Sequence, residues 1–143
     1  MNLGSIIFAG IAATVAMTIF TDLAFRLLNR PYYVLQVLAD MAGSQSTSVK
    51  IESLVKLILA IVVHFSIGVL FAYGYRSFAV WVPDWSTLMQ GLAYGAFIGV
   101  IAVGGWTVCF DIHPHPPYVY MPVYLTIIGL GHFVLAYALA GLL

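Results

Sequence analysis

The fold is decided by residues 57–75: Leu57-Ile58-Leu59-Ala60-Ile61-Val62-Val63-His64-Phe65-Ser66-Ile67-Gly68-Val69-Leu70-Phe71-Ala72-Tyr73-Gly74-Tyr75, a run without Asp, Glu, Lys or Arg. A strand of a membrane barrel alternates apolar and polar side chains, and Leu57 to Val63 shows no alternation. A helix crosses the hydrocarbon core with about 20 apolar residues. It also satisfies its own backbone hydrogen bonds where no water can. Three further charge-free runs cover residues 1–21, 85–110 and 112–143. The expected fold is all-α: a polytopic membrane protein forming one domain over residues 1–143. It is read as a four-transmembrane-helix antiparallel bundle with short loops, with spans near 4–28, 53–75, 87–109 and 122–142.

Composition narrows the function in the same direction. Of 143 residues, 63% are hydrophobic and 7% charged, where a soluble domain carries about 25% charged residues. That excludes an ordinary soluble enzyme and a disordered tail. A formal net charge of zero leaves no basic footprint for nucleic acid. The lone Cys109 excludes a disulfide framework, a CxxC redox pair and a Cys-rich zinc site. The first run has the apolar character of a signal peptide. No basic segment precedes it and Arg26 and Arg30 follow it, so it is expected to remain as an anchor.

Arg26, Arg30, Lys50 and Lys56 flank the first loop, and only Arg76 flanks the second. The positive-inside rule then places loop one in the cytoplasm and both termini outward. Within loop one, Pro31 fits a first helical position and Gly43 a C-terminal cap. Residues 32–39 between them are expected to form a short helix on the membrane surface, followed by a polar linker from Ser44 to Ser48. Loop two carries Trp81, Pro83, Asp84 and Trp85. Its tryptophans suit the headgroup layer, and Asp84 or Ser86 can cap the third span. Prolines in the third loop, residues 111–117, exclude a helix there, and Pro122 suits the start of the fourth span.

Each span carries small or polar residues at four-residue spacing, which share a helix face. These are Gly10, Thr14, Thr18, Asp22 and Arg26; Ala60, His64, Gly68 and Ala72; Gly91, Gly95 and Gly99; and Gly129, His132, Ala136 and Ala140, with one three-residue step. In lipid, helices associate where small residues let backbones approach. The stripes predict packing within the bundle or against another subunit. Counting ten residues inward from the first-loop ends of the helices reaches Thr18, His64, Val100 (beside Gly99) and His132. Ten residues are about 15 Å of helix, near mid-membrane.

Two histidines at one depth admit several chemistries. They could be axial ligands of a b-type haem, since neutral imidazole suits iron. Against this, close-packed helices sit about 8–10 Å apart, and no Lys or Arg lies at that depth to meet the propionates. They could instead belong to a hydrogen-bonded core with Thr14, Thr18, a tyrosine or a backbone carbonyl, at roughly 0.6–2 kcal/mol per bond. Quinone or lipid contact and a transport path are further readings. Asp22 is a relay candidate or an i,i+4 partner of Arg26. Asp111, His113 and His115 have donor types that suit zinc, with Cys109 nearby as a small apolar residue.

Enzyme motifs are missing: there is no G-x-S-x-G elbow, no H-E-x-x-H and no P-loop. The expected protein is a non-enzymatic accessory or structural subunit of a larger inner-membrane complex, of which a respiratory or energy-transducing complex is one candidate. Its partners would be the bilayer and other membrane subunits or a second copy, met through the small-residue faces. No cofactor is favoured, with haem b the alternative through His64 and His132. The other alternative is a small transporter or oligomeric channel, with Asp22, Thr18 and the histidines lining a polar path.

The motifs Gly10-x-x-Ala13-Thr14-x-x-Met17-Thr18, His64-Phe65-x-x-Gly68, Gln90-Gly91-x-x-x-Gly95 and His132-x-x-x-Ala136-Tyr137 together resemble a family of small bacterial four-helix membrane proteins that carries a domain-of-unknown-function label. The resemblance spans nearly the whole chain. It implies the four-span topology and a bacterial inner membrane, and no activity.

Overall fold

A computed structural model describes residues 2–30, 32–41 and 50–143, the side chains of residues 50–53 aside. Pro31, the Gly43 cap and the linker from Ser44 to Ser48 lie outside the described residues. The described chain is helical, with no strand: α1 Leu3–Leu27, α2 Val34–Met41, α3 Lys50–Trp81, α4 Thr87–Ile112 and α5 Met121–Leu142. Four apolar stretches are long enough to cross a membrane: Leu3–Leu27, Leu54–Trp81, Thr87–Ile112 and Met121–Leu142. The shortest, 22 residues, covers about 33 Å at 1.5 Å per residue, enough for a hydrocarbon core of about 30 Å.

Local chemistry sets the ends. The Asn2 side chain accepts from the Ser5 N–H at 2.9 Å and starts α1. At its other end Asn29 takes a left-handed φ of 52°. Its N–H reaches the Arg26 carbonyl at 3.0 Å, while the Arg30 N–H reaches the Phe25 carbonyl at 2.9 Å. This is a Schellman close, with asparagine in the place glycine usually takes. Ser86 caps α4 by accepting from the Met89 N–H at 3.3 Å, one of the two expected caps. Pro122 falls in the first turn of α5, where its missing N–H costs nothing.

Two of the long helices run past their expected ends. α3 runs on to Trp81, so Arg76 sits on a helix and the second loop shortens to residues 82–86. α4 runs to Ile112, which puts Asp111 on its last turn. No proline interrupts either helix before its observed end. The loop from His113 to Tyr120 is non-helical, as its prolines require.

The close approaches fix the arrangement. A Cβ on Gly10 would fall 2.7 Å from Val69 Cα, and Thr18 meets His64, so α1 and α3 run antiparallel. Gly91 approaches Tyr137, Gly95 approaches Phe133, and Gly99 approaches Gly129, so α4 and α5 also run antiparallel. Gly131 lies against Met17 and Thr21, and Phe25 stacks on Tyr124 at 5.7 Å, which joins α5 to α1. The helices therefore follow the order α3, α1, α5, α4, with α5 packed on both sides. α3 and α4 meet far less. Their contact is at the terminus side, where the Tyr75 hydroxyl donates to Gln90 Oε1 at 2.6 Å and the Tyr94 hydroxyl to the Phe71 carbonyl at 2.7 Å. Toward the first-loop side they part.

The apolar residues divide accordingly. Tyr75, Tyr94, Ile98, Leu135 and Leu139 join one buried cluster, and Phe25, Val34, Val37, Phe110, Tyr124 and Ile128 join another at the first-loop side. Phe8, Leu70, Phe97 and Val100 are exposed, as suits side chains facing acyl chains. Val100, reached by counting ten residues inward, is 74% exposed. Its neighbour Gly99 is the one that faces the bundle.

Candidate functional site

His64 is held on α3 by its neighbour on α1. The Thr18 hydroxyl lies 2.8 Å from the Thr14 carbonyl and 3.0 Å from His64 Nε2. A hydroxyl has one proton and a carbonyl can only accept. Thr18 therefore donates to Thr14 and accepts from His64. This geometry places the neutral imidazole's proton on Nε2 and leaves Nδ1 as a lone-pair acceptor.

His132 is held by its own helix. Its Nδ1 lies 2.8 Å from the Ile128 carbonyl, so Nδ1 must donate and Nε2 carries the lone pair. The ring also stands edge-on to Phe71 of α3, with centroids 5.7 Å apart. Gly99 lies beside it, where a Cβ would stand in ordinary contact, 3.8 Å from His132 Cβ. Of the four positions counted to one depth, the structure brings Thr18 against His64 and Gly99 beside His132.

Both histidines line a cavity of about 590 Å³ where α3 and α4 part. That is within the range of about 300–1,000 Å³ for small-molecule sites. Its walls are apolar, with Ile67 and Phe71 from α3, Ile101 and Trp106 from α4, and Leu135 from α5. Leu38 and Met41 of α2 close the first-loop end. Among the described residues neither His64 Nδ1 nor His132 Nε2 has a hydrogen-bond partner, neither is fully buried, and both residues line the cavity. The two imidazoles are also electrostatic neighbours. The cavity therefore offers two acceptor nitrogens in an otherwise oily wall.

Glycine provides the room. A Cβ on Gly105, which lines the cavity, would meet nothing within 4 Å. Gly104 is equally open but does not line the cavity. The expected packing glycines behave differently. Gly10, Gly68, Gly91, Gly95, Gly99 and Gly129 all meet neighbours within the chain. A Cβ on Gly68 would collide with Thr14 Oγ1, whose hydroxyl donates to the Gly10 carbonyl at 2.7 Å. Ala136 is fully buried.

Asp22 does not close an ion pair with Arg26 among the described residues. The Arg26 guanidinium lies over the Tyr33 ring, 5.6 Å from its centroid. The Asp22 carboxylate has both Arg26 and the Val34 backbone in its electrostatic surroundings, and among the described residues its Oδ1 is buried without a hydrogen-bond partner. α2 begins two residues later than residue 32. It packs against α3 and the first-loop ends of the bundle, burying Val34, Val37 and Ala39.

The expected metal residues are not gathered. Among the described residues no three His, Cys, Asp or Glu side chains form a group able to hold a metal ion. Asp111 and His115 are exposed, and His113 Nδ1 accepts from the His115 N–H at 3.2 Å. The stiff loop thus turns one of the three donors onto its own backbone. Cys109 is exposed and borders the cavity.

Sequence reasoning passed over the α2 end wall, Phe71, Trp106 and Gly105. One signal was present: Gly104 and Gly105 break the four-residue rhythm of Gly91, Gly95 and Gly99, so they face elsewhere than α5. Comparison of the chain with protein-family models, curated proteins and solved structures finds no match.

Proposed function

We propose that this chain is a non-enzymatic integral membrane protein that binds a lipid-soluble small molecule in the cavity between α3 and α4. The observation that carries this reading is the pair of unpartnered imidazole nitrogens in that cavity. Ligand sites are mostly apolar with a few placed polar groups that fix orientation, and the cavity has that composition. A polar atom left unmatched in a low-dielectric wall is costly, and a ligand hydroxyl would supply the match. The α3–α4 opening gives such a molecule a route from the lipid.

A role as an accessory subunit would use other surfaces than the expected small-residue faces, whose glycines are occupied within the chain. Haem ligation would need both free nitrogens aimed at one iron from opposite sides. His132 is packed edge-on to Phe71 and His64 is turned to Thr18, an arrangement that favours separate hydrogen bonds. The first loop is assigned to the cytoplasm of a bacterial inner membrane, since Arg26 and Arg30 stand at that side. Labelling of Ser86→Cys by an impermeant thiol reagent on intact cells, in a Cys109→Ser background, would support this. Labelling only after permeabilisation would reverse it.

The test of binding uses two adjacent glycines. Protein purified in mild detergent should retain a small lipid-soluble molecule at near one-to-one stoichiometry by native mass spectrometry. Gly105→Leu adds a branched side chain to the cavity lining at a position whose Cβ is unobstructed, and should abolish retention. Gly104→Leu, whose Cβ is equally unobstructed and which is outside that lining, should leave it intact. Equal retention in both variants would remove the cavity from the proposal.

A further inference from the structure

The tautomers of the two histidines restrict what the cavity can hold. We infer that its ligand is a lipid-soluble hydroquinone, an aromatic ring bearing two hydroxyl donors and an apolar tail, and that the cavity discriminates against the corresponding quinone. The inference rests on the binding role proposed above and adds the chemical class of the ligand.

The argument starts from the acceptors. His132 Nδ1 is committed to the Ile128 carbonyl, which cannot donate, so the neutral ring always presents Nε2 as an acceptor. His64 presents Nδ1 as an acceptor while the Thr18 hydroxyl donates to Thr14. Two acceptors on different helices call for two donors on one molecule. Quinone oxygens only accept, and would set lone pair against lone pair at His132. Only His64 can invert, and then only if Thr18 turns its proton from the Thr14 carbonyl onto Nε2. A quinone therefore gains at most one of the two hydrogen bonds. The ring has aromatic company in Phe71 and Trp106, whose faces and edges suit another aromatic ring. The opening between α3 and α4 leaves an outlet for a tail into the lipid.

The test uses the full chain in lipid nanodiscs with ¹⁵N-labelled histidine. The probes are a decyl-substituted benzohydroquinone, its benzoquinone, and its dimethyl ether, which keeps the shape and loses both donors. The ¹⁵N signals of the unprotonated His64 and His132 nitrogens report binding and hydrogen bonding together. A net hydrogen bond changes affinity by about fivefold, so the hydroquinone should bind roughly 10–30-fold more tightly than the ether. The quinone should fall at or near the ether. Both unprotonated nitrogen signals should shift with hydroquinone. His132→Phe keeps an aromatic ring and should reduce the preference to about fivefold. Should that variant fail to fold, the shifts in the native sequence still decide the matter.

Equal affinities for hydroquinone and ether, or tighter quinone binding, would overturn the hydroquinone assignment. So would hydroquinone binding that leaves both nitrogen signals in place. If no probe binds while Gly104→Leu protein retains another molecule and Gly105→Leu protein does not, the hydroquinone class is wrong and the binding role stands. If neither variant nor the native chain retains or binds any molecule, the binding role itself fails.

Discussion

Gly95→Ala and Gly105→Ala place the same methyl group ten residues apart on α4, and they should differ sharply. A Cβ on Gly95 would lie 2.9 Å from both Phe133 Cα and Phe133 Cδ1. The ring can turn aside, but the backbone atom cannot. Carbon atoms prefer about 3.5–4.0 Å, so α4 and α5 would have to separate by roughly 0.5–1 Å along their principal seam. Overpacking of that kind costs about 1–3 kcal/mol. At Gly105 a Cβ meets nothing within 4 Å, so that cost vanishes. Replacing glycine in a helix interior gains up to about 1 kcal/mol in water. In lipid the separated helices stay helical because their backbones must remain paired, so this gain shrinks, and it largely cancels between the two sites. The expected difference is therefore about 1–3 kcal/mol, or roughly 5–150-fold in the unfolding equilibrium. Reversible unfolding by SDS titration in mixed micelles, followed by tryptophan fluorescence, would measure it. Stabilities within about 0.3 kcal/mol of each other, the limit of simple additivity, would refute the close α4–α5 seam.

Two further predictions probe the polar groups. Thr18→Val keeps the side-chain shape and removes the acceptor for His64 Nε2; it should cost about 0.6–1.7 kcal/mol, the range for interhelical bonds in membranes, in the same SDS titration, and no loss would show that the bond contributes nothing. Tyr124 is fully buried among Phe25, Tyr32, Trp106 and Phe110 and its hydroxyl has no partner among the described residues; since an unmatched buried polar group costs about 1–3 kcal/mol, Tyr124→Phe should stabilise the bundle by about 1 kcal/mol or more, and a destabilised variant would reveal a bound water or ligand at that hydroxyl.

The four long helices were legible because their signal is uninterrupted length, which needs no knowledge of neighbours. The stripes were legible for a related reason: Ala60, His64, Gly68 and Ala72 recur at one helical face, and all four are buried. Depth could be counted from helix ends, and that count placed Thr18 level with His64. The way the helices close around one another could not be read from single stripes. α5 uses two faces, with Gly129 toward α4 and Gly131 toward α1, and a one-stripe reading records only the first. The end of α1 depended on Asn29 taking a left-handed conformation, a signal as local as any glycine cap but quieter. The surroundings of Asp22 include the Val34 backbone across a turn as well as Arg26, and helical spacing proposes only the second. The cavity was least legible of all, since it is defined by what does not pack between α3 and α4.

That cavity also separates two sources of affinity. An apolar groove open to the bilayer is filled by acyl chains, so its walls alone give a guest little advantage over lipid. The same reasoning explains why helices in lipid associate through close packing and polar bonds and not through hydrophobic burial. Acyl chains satisfy Ile67, Ile101 and Leu135, but they cannot satisfy His64 Nδ1 or His132 Nε2. A hydroxyl-bearing guest gains at those two nitrogens what every competing acyl chain must forgo. Cavity volume then sets which guests fit, and the imidazoles set which of them displaces lipid. The two properties should therefore separate by substitution. Gly105→Leu acts on volume and should reject all guests alike, whereas His132→Phe acts on a nitrogen and should remove selectivity while leaving weak apolar occupancy. If both variants instead lost the same guests to the same extent, polar recognition and cavity shape would be a single property, and the assignment of acceptor roles to the two imidazoles would have no independent support.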